Sequence, residues 1–158
     1  MYFKDETELG ELVRAFETCE IHPAEFKHYQ HLAVALWYLK HHPYEAASEK
    51  MRSGIQRLAA AYGKTGYHET ITVFWLKVVH AFLLQAESRA TIFELANDDA
   101  REYGHKNVIA EYYSEEILAS VKAETTGPWD QWVPAEKLSP LALGCGENTM
   151  PISHTAKR

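Results

Sequence analysis

The amino-acid sequence predicts an all-α protein: a single-domain bundle of about five or six helices with an extended C-terminal arm. Three observations predict this class. No proline occurs between Pro43 and Pro128, apolar residues recur at helical spacing, and one long segment is apolar nearly all round. A length of 158 residues suits one domain, and 46% hydrophobic with 24% charged residues is typical of a globular protein.

The first four helices follow from apolar spacing and from helix-end residues. The first covers residues 7–19, where four apolar side chains form one stripe. The second opens at Pro23, a favoured first-turn residue, and ends before Pro43. The third then runs to Gly63, which can adopt the left-handed conformation that closes a helix. The fourth, residues 68–85, has only two ionisable interruptions within its apolar run and is therefore expected in the middle of the bundle.

The C-terminal part of the chain, from about residue 91, is less regular. A short helix is expected at residues 91–97, followed by an irregular polar connection and a last helix at residues 114–124. Prolines and tryptophans then become frequent, which is typical of an extended segment. The predicted division is a helical bundle at 1–126 and an arm with a tail at 127–158.

The charge balance excludes several classes of partner. Asp plus Glu number 22 against 16 for Lys plus Arg, and the net charge of -6 would repel nucleic acids and anionic membranes. The first ten residues are acidic and resemble no secretory signal. The two cysteines lie far apart, without the spacing of a disulfide framework or a thiolate metal site. We therefore expect a cytoplasmic protein with no nucleic-acid or membrane partner.

The most informative segment is residues 25–39, because it places two histidines on one face of the second helix. His28 and His31 are three residues apart, and the apolar residues that follow continue this face toward the core. A charged imidazole is costly in an apolar core. Each ring is therefore expected to be neutral and hydrogen-bonded, or bound to a metal ion through one nitrogen.

A second candidate segment lies at the start of the fourth helix. His68, Thr72 and Trp75 fall on one face, and Glu69 is rotated from it by about a quarter turn. Glu69 is interpreted either as a helix-start carboxylate near free amides, or as a metal ligand, a supporting partner or a general base. Under the second interpretation the chain binds one transition-metal ion, iron, copper or zinc, through His28, His31, His68 and Glu69.

Several segments together resemble a group of uncharacterised small bacterial helical proteins. They are the FxHxxHLxxAxxYL pattern at 26–39, YHETIT at 67–72, Trp75, YYSEEILAS at 112–120 and WVPAEKLSPL at 132–141. In those proteins the HxxH and YHET positions occur together. The resemblance therefore implies that one site includes His28, His31, His68 and Glu69.

Two kinds of function are compatible with these residues. The first is a metal-dependent enzyme that acts on a small molecule, an oxidoreductase or a hydrolase, with oxidative chemistry favoured. In that enzyme His28, His31 and His68 are the metal ligands and Glu69 is the base or a further ligand. Tyr67, Thr72 and Trp75 shape the pocket. The second is a non-enzymatic helical domain that binds a small molecule or a partner, in which the histidines form a buried hydrogen-bond network.

Overall fold

The described part of the chain is built from helices. The computed structural model describes residues 1–64, 67–86 and 90–104, and within these ranges five α-helices and no strand are present. The helices are α1 (Glu6–Glu17), α2 (His28–His41), α3 (Tyr44–Ala61), α4 (Glu69–Gln85) and α5 (Ile92–Tyr103). They confirm the predicted all-α bundle. The predicted last helix, the boundary at residue 126 and the arm lie outside the described residues.

The start of α2 differs from the predicted one. Pro23 does not open this helix, because the residues after it form a turn closed by two amides that donate to the His22 carbonyl. The helix begins instead at His28, and the amide of the preceding Lys27 donates to the side chain of Gln30 at 2.7 Å. The later start places His28 in the first turn of α2, close to the neighbouring helices.

The end of α5 also differs. The sequence predicts an end near residue 97, but the helix continues to Tyr103. At the other end of the helix, Thr91 is the N-cap residue, and its amide and hydroxyl both donate to Glu94, at 2.8 and 2.6 Å. The second half of α5 is polar in sequence and is therefore not predicted to be helical, but two of its polar residues, Asn97 and Asp99, are buried.

Among the described helices, α2 occupies the centre and packs against the other four. Its residues from Leu32 to Leu36 are all buried. The fourth helix, which the sequence predicts to be central, is buried mainly in its first half, and Leu84 near its end is 56% exposed. None of the five helices is both long and apolar enough to cross a membrane.

The helices α1 and α3 approach each other closely at Gly54. A Cβ atom at this position would lie 2.5 Å from two ring atoms of Phe16, a fully buried residue of α1. A side chain larger than hydrogen therefore does not fit against the ring without movement of one helix. Gly54 lies in the middle of α3, where glycine costs helix stability, and this close contact explains its presence.

Two buried polar side chains of α5 differ in their hydrogen bonding. The side chain of Asn97 accepts from the amides of Tyr2 and Phe3, at 2.6 and 3.0 Å, and donates to the Phe3 carbonyl. Asp99 is fully buried, and within the described residues neither of its carboxylate oxygens has a hydrogen-bond partner. Burial, reinforced by the charge of Glu102, raises the pKa of Asp99 to about 8.

Candidate functional site

A cavity of about 340 Å³ lies between α2, α3 and α4. This volume is within the range of small-molecule sites. Five of its lining residues are candidates from the sequence: His28, His31, His68, Thr72 and Trp75. The other described residues that line it are apolar: Ala35, Met51, Ile55, Ile71 and Leu76. Their helical spacing marks the second group as core residues, but nothing in the sequence signals that they border a cavity.

His28 connects α2 to α4 at the wall of this cavity. Its ring packs against the indole of Trp75 with the centroids 4.4 Å apart and the planes at 62°, an edge-to-face arrangement. The contact brings the first turn of α2 against the first half of α4. The histidine pair of α2 and the third histidine, His68, consequently line the same space.

His31 lies one turn further along α2 and is oriented by two contacts. Its ring centroid is 3.8 Å from that of Phe26, and its Nδ1 atom is 3.0 Å from the carbonyl oxygen of Lys27. A carbonyl oxygen can only accept, so Nδ1 donates and carries the proton of the neutral ring. The other nitrogen of His31, Nε2, is therefore the atom with the lone pair.

His68 is the N-cap residue of α4 and is oriented differently. Its Nδ1 atom accepts from the amide of Ile71 in a long hydrogen bond of 3.4 Å. Since Nδ1 accepts, the proton of the neutral ring is on Nε2. The hydroxyl of Thr72 donates to the His68 carbonyl at 3.0 Å and so reinforces the first turn of the helix.

Glu69, the next residue, belongs to a separate group of side chains. Its carboxylate is buried, and both oxygens accept from the guanidinium of Arg52 on α3, at 2.6 to 3.2 Å. The hydroxyl of Tyr67 donates to the same carboxylate. Arg52 also donates to Glu49 at 2.9 Å. Glu69 and Tyr67, both predicted for the site, therefore lie in this polar cluster and not among the residues that line the cavity.

The cluster keeps Glu69 ionised. Burial raises its pKa, but the hydrogen bonds from Arg52 and Tyr67, together with the charge of Arg52, outweigh burial and hold the pKa below its ordinary value. A carboxylate with a lowered pKa is a weak base, and both of its oxygens are engaged. These contacts favour a structural role for Glu69. Its role as a base or a metal ligand stays a prediction.

His80, on the same helix as His68, does not line the cavity. The two residues are 12 positions apart, about 18 Å along the axis, and cannot share a small ligand. The His80 ring packs against Tyr44 with the centroids 5.0 Å apart, and burial lowers its pKa. His80 is therefore a suitable control for experiments on the cavity histidines.

The predicted metal ligands lie near one another without forming a coordination group. Within residues 1–64, 67–86 and 90–104, no set of three or more His, Cys, Asp and Glu side chains is placed to hold a metal ion. The predicted ligands have other contacts: Nδ1 of both His31 and His68 is hydrogen-bonded to backbone, the His28 ring packs on Trp75, and Glu69 binds Arg52 and Tyr67. The metal site stays a prediction.

No protein-family model matches this chain, and no curated protein or solved structure is significantly similar to it. The geometry of the cavity and its histidines is consequently the basis for a functional proposal.

Proposed function

We propose that this protein binds a small, mainly apolar molecule in the cavity between α2, α3 and α4. The observation that carries the proposal is the convergence of three imidazoles, one indole and one threonine on a cavity of about 340 Å³ whose other described lining residues are apolar. Apolar walls supply binding free energy through burial, and a few polar atoms orient the ligand. A volume near the lower end of the usual range favours a ligand the size of a substituted benzene or an indole.

The polar cluster around Glu69 supports the cavity from outside. Its contacts with Arg52 fix the first turn of α4 against α3. The neighbouring residues His68 and Thr72 are thereby held at the cavity wall before a ligand arrives. A site that is ordered in advance loses less conformational entropy on binding.

Binding can be tested with indole, phenol and toluene as probes. Each is titrated into protein whose methionine and isoleucine methyl groups carry ¹³C, and the chemical shifts are followed by NMR. We expect saturable shifts at Met51 and Ile55, which line the cavity. The methyl group of Ile21, which packs elsewhere on the core and does not line the cavity, should not respond.

Matched leucine substitutions provide the control. Ala35→Leu adds a side chain at a lining position and should abolish the shifts, because the added atoms occupy the space of the probe. Ala46→Leu adds the same side chain at an exposed position on α3 and should leave binding unchanged. Absence of saturable binding by all three probes, or binding that survives Ala35→Leu in a folded variant, would contradict the proposal.

A metal-dependent enzyme is the second candidate, and the spacing of His28 and His31, about one turn apart at the start of α2, favours it. Metal-bound histidines commonly donate their other ring N–H to a carbonyl, as His31 does to Lys27. Iron or copper there would support oxidation of the bound molecule, and zinc would support hydrolysis.

Elemental analysis of protein purified without an affinity tag tests this second candidate. About one equivalent of iron, copper or zinc, lost in His31→Ala and retained in His80→Ala, would support it. A metal content at background level, or equal loss in both variants, would contradict it.

A further inference from the structure

We infer that Tyr29 on α2 and Asn97 on α5 form a binding site for a non-helical peptide segment that carries an aromatic side chain. In this structure the first residues of the chain itself fill the site, through Tyr2 and Phe3. We call this surface the N-terminal seat. It is separate from the proposed small-molecule site, since neither Tyr29 nor Asn97 is among the described residues that line the cavity.

Asn97 recognises backbone atoms of the bound segment. Its Oδ1 atom accepts from the Phe3 amide at 3.0 Å, and its Nδ2 group donates to the Phe3 carbonyl at 2.9 Å. One carboxamide thus pairs with the N–H and the C=O of a single residue, as a neighbouring strand does in an antiparallel sheet. A further bond from Nδ2 to the carbonyl of Phe93 fixes the carboxamide on α5. Every residue except proline offers the same two backbone groups, so the clamp suits many sequences.

Phe3 supplies the anchor of the segment. Its side chain is buried, and its ring lies 5.9 Å from that of Tyr29. Tyr2 is 43% exposed, although its ring is 4.9 Å from Tyr29, and Met1 is 96% exposed. Burial is therefore concentrated at the clamped residue, and the seat selects a segment with an aromatic side chain at that position.

The segment can leave the seat while α1 keeps its own start. Asp5 caps this helix, and its side chain accepts from the Glu8 amide at 2.9 Å. The seated residues precede this cap and take no part in it. Release exposes the Asn97 carboxamide and the face of Tyr29, and both favour a new occupant, because a polar group without its partners and an exposed aromatic surface are costly.

Hydrogen exchange in the unmodified protein tests whether the seat opens. The Phe3 amide should exchange at least about a hundredfold faster than the amide of Val34, in the buried middle of α2, because release requires no global unfolding. It should still exchange at least about tenfold more slowly than an unprotected amide, since Asn97 binds it. Exchange at the rate of Val34, or with no protection at all, would overturn the inference.

Peptide binding is the direct test. The full chain with Phe3→Ala, which removes the anchor of its own segment, is titrated with the peptide MYFKDE, a copy of residues 1–6 with both ends blocked. We expect saturable shifts of the Asn97 side-chain and Tyr29 ring signals in NMR spectra. The unmodified protein should bind the peptide at least about tenfold more weakly, because its own segment competes at a high effective concentration.

Matched controls separate the anchor from the clamp. The peptide MYAKDE lacks the anchor and should bind the Phe3→Ala chain at least about tenfold more weakly than MYFKDE does. Asn97→Ala, added to that chain, should abolish binding of MYFKDE as read from the Tyr29 ring. Gln56→Ala removes an exposed carboxamide on α3 instead and should leave binding unchanged.

Absence of saturable binding to the Phe3→Ala chain, or equal binding of the two peptides, would overturn the inference. Sedimentation equilibrium tests the other possible occupant, the first residues of a second copy. A dimer of the unmodified protein that is lost in Phe3→Ala would assign the seat to that copy and contradict the proposal. If a variant does not fold, excess MYFKDE, but not MYAKDE, should accelerate exchange of the Phe3 amide in the unmodified protein, and no acceleration would overturn the inference.

Discussion

Two buried carboxylates, Glu69 at the start of α4 and Asp99 in α5, show how differently one chemical group behaves in two regions of this molecule. Glu69 is 5% exposed and Asp99 is fully buried. The pKa of Glu69 is lowered by Arg52 and Tyr67 against the effect of burial, whereas burial and the charge of Glu102 raise that of Asp99 to about 8. Hydrogen-bond donors, and not burial alone, decide which carboxylate is charged at neutral pH.

The difference between the two carboxylates also matters for the cavity between α2, α3 and α4. The carboxylate beside the cavity is ionised and fully engaged with Arg52 and Tyr67. Among the described residues that line the cavity, the ionisable side chains are therefore the three imidazoles. Three predictions test this comparison.

The largest effect is expected for Asp99 as a function of pH. Its pKa rises on folding from an ordinary 3.8 to about 8, so between these values the folded protein holds a proton that the unfolded chain releases. The free energy of unfolding should therefore fall as pH rises, by up to about 1.4 kcal/mol per unit and roughly 4 kcal/mol from pH 5 to pH 8. Urea denaturation at intervals of pH measures this slope.

Asp99→Asn is the control for that slope, because the amide has nearly the same shape and does not titrate in this range. The variant should lose the decline between pH 5 and pH 8. A decline of equal size in both proteins would show that another group causes it. Glu69 has the opposite dependence: its stabilising effect is present above its unfolded pKa and is lost as pH falls through the folded value.

The second effect concerns the partner of Glu69. Arg52→Met should lower the free energy of unfolding by about 3 kcal/mol, since it leaves a buried carboxylate without its counter-ion. The double variant Arg52→Met with Glu69→Met should recover much of this loss. Arg101→Met removes an exposed pair with Asp98 and should cost less than about 0.5 kcal/mol. Equal losses of unfolding free energy in Arg52→Met and Arg101→Met would contradict a structural role for the cluster of Arg52, Tyr67 and Glu69.

The smallest effect is expected one residue before Glu69. His68→Ala removes the side chain that caps α4 and should cost about 1 kcal/mol, whereas His68→Asn keeps a capping acceptor and should cost less. Chemical denaturation compares the two variants. A loss as large as that of Arg52→Met would place His68 in the structural cluster and not in the cavity.

Much of the fold can be predicted from the sequence, because apolar spacing and helix-end residues are local signals. They indicate the class, the third and fourth helices and the left-handed Gly63, whose φ is +62°. The start of α2 and the end of α5 depend on tertiary contacts. Pro23 suits a turn as well as a helix start, and the polar second half of α5 is buried by parts of the chain distant in sequence, such as the backbone of Tyr2 and Phe3 that binds Asn97.

The candidate site shows the same limit. Helical spacing places His28, His31 and His68 on inward faces, and the structure places all three at one cavity. The partner of Glu69 could not be predicted, because Arg52 lies 17 residues earlier on another helix. Consecutive residues on a helix point about 100° apart. His68 and Glu69 therefore lie in different environments, His68 at the cavity and Glu69 against Arg52 and Tyr67.

Gly54 affects the shape of the cavity although it does not line it. It lies on α3 beside Ile55 and one turn from Met51, both of which line the cavity, while its own Cα faces Phe16. A methyl group at this position would press on the buried Phe16 ring, so that the ring or one of the two helices would have to move. A movement of α3 would also displace the part of the cavity wall that Met51 and Ile55 form. The dimensions of the cavity thus depend in part on a residue of α3 that does not line it.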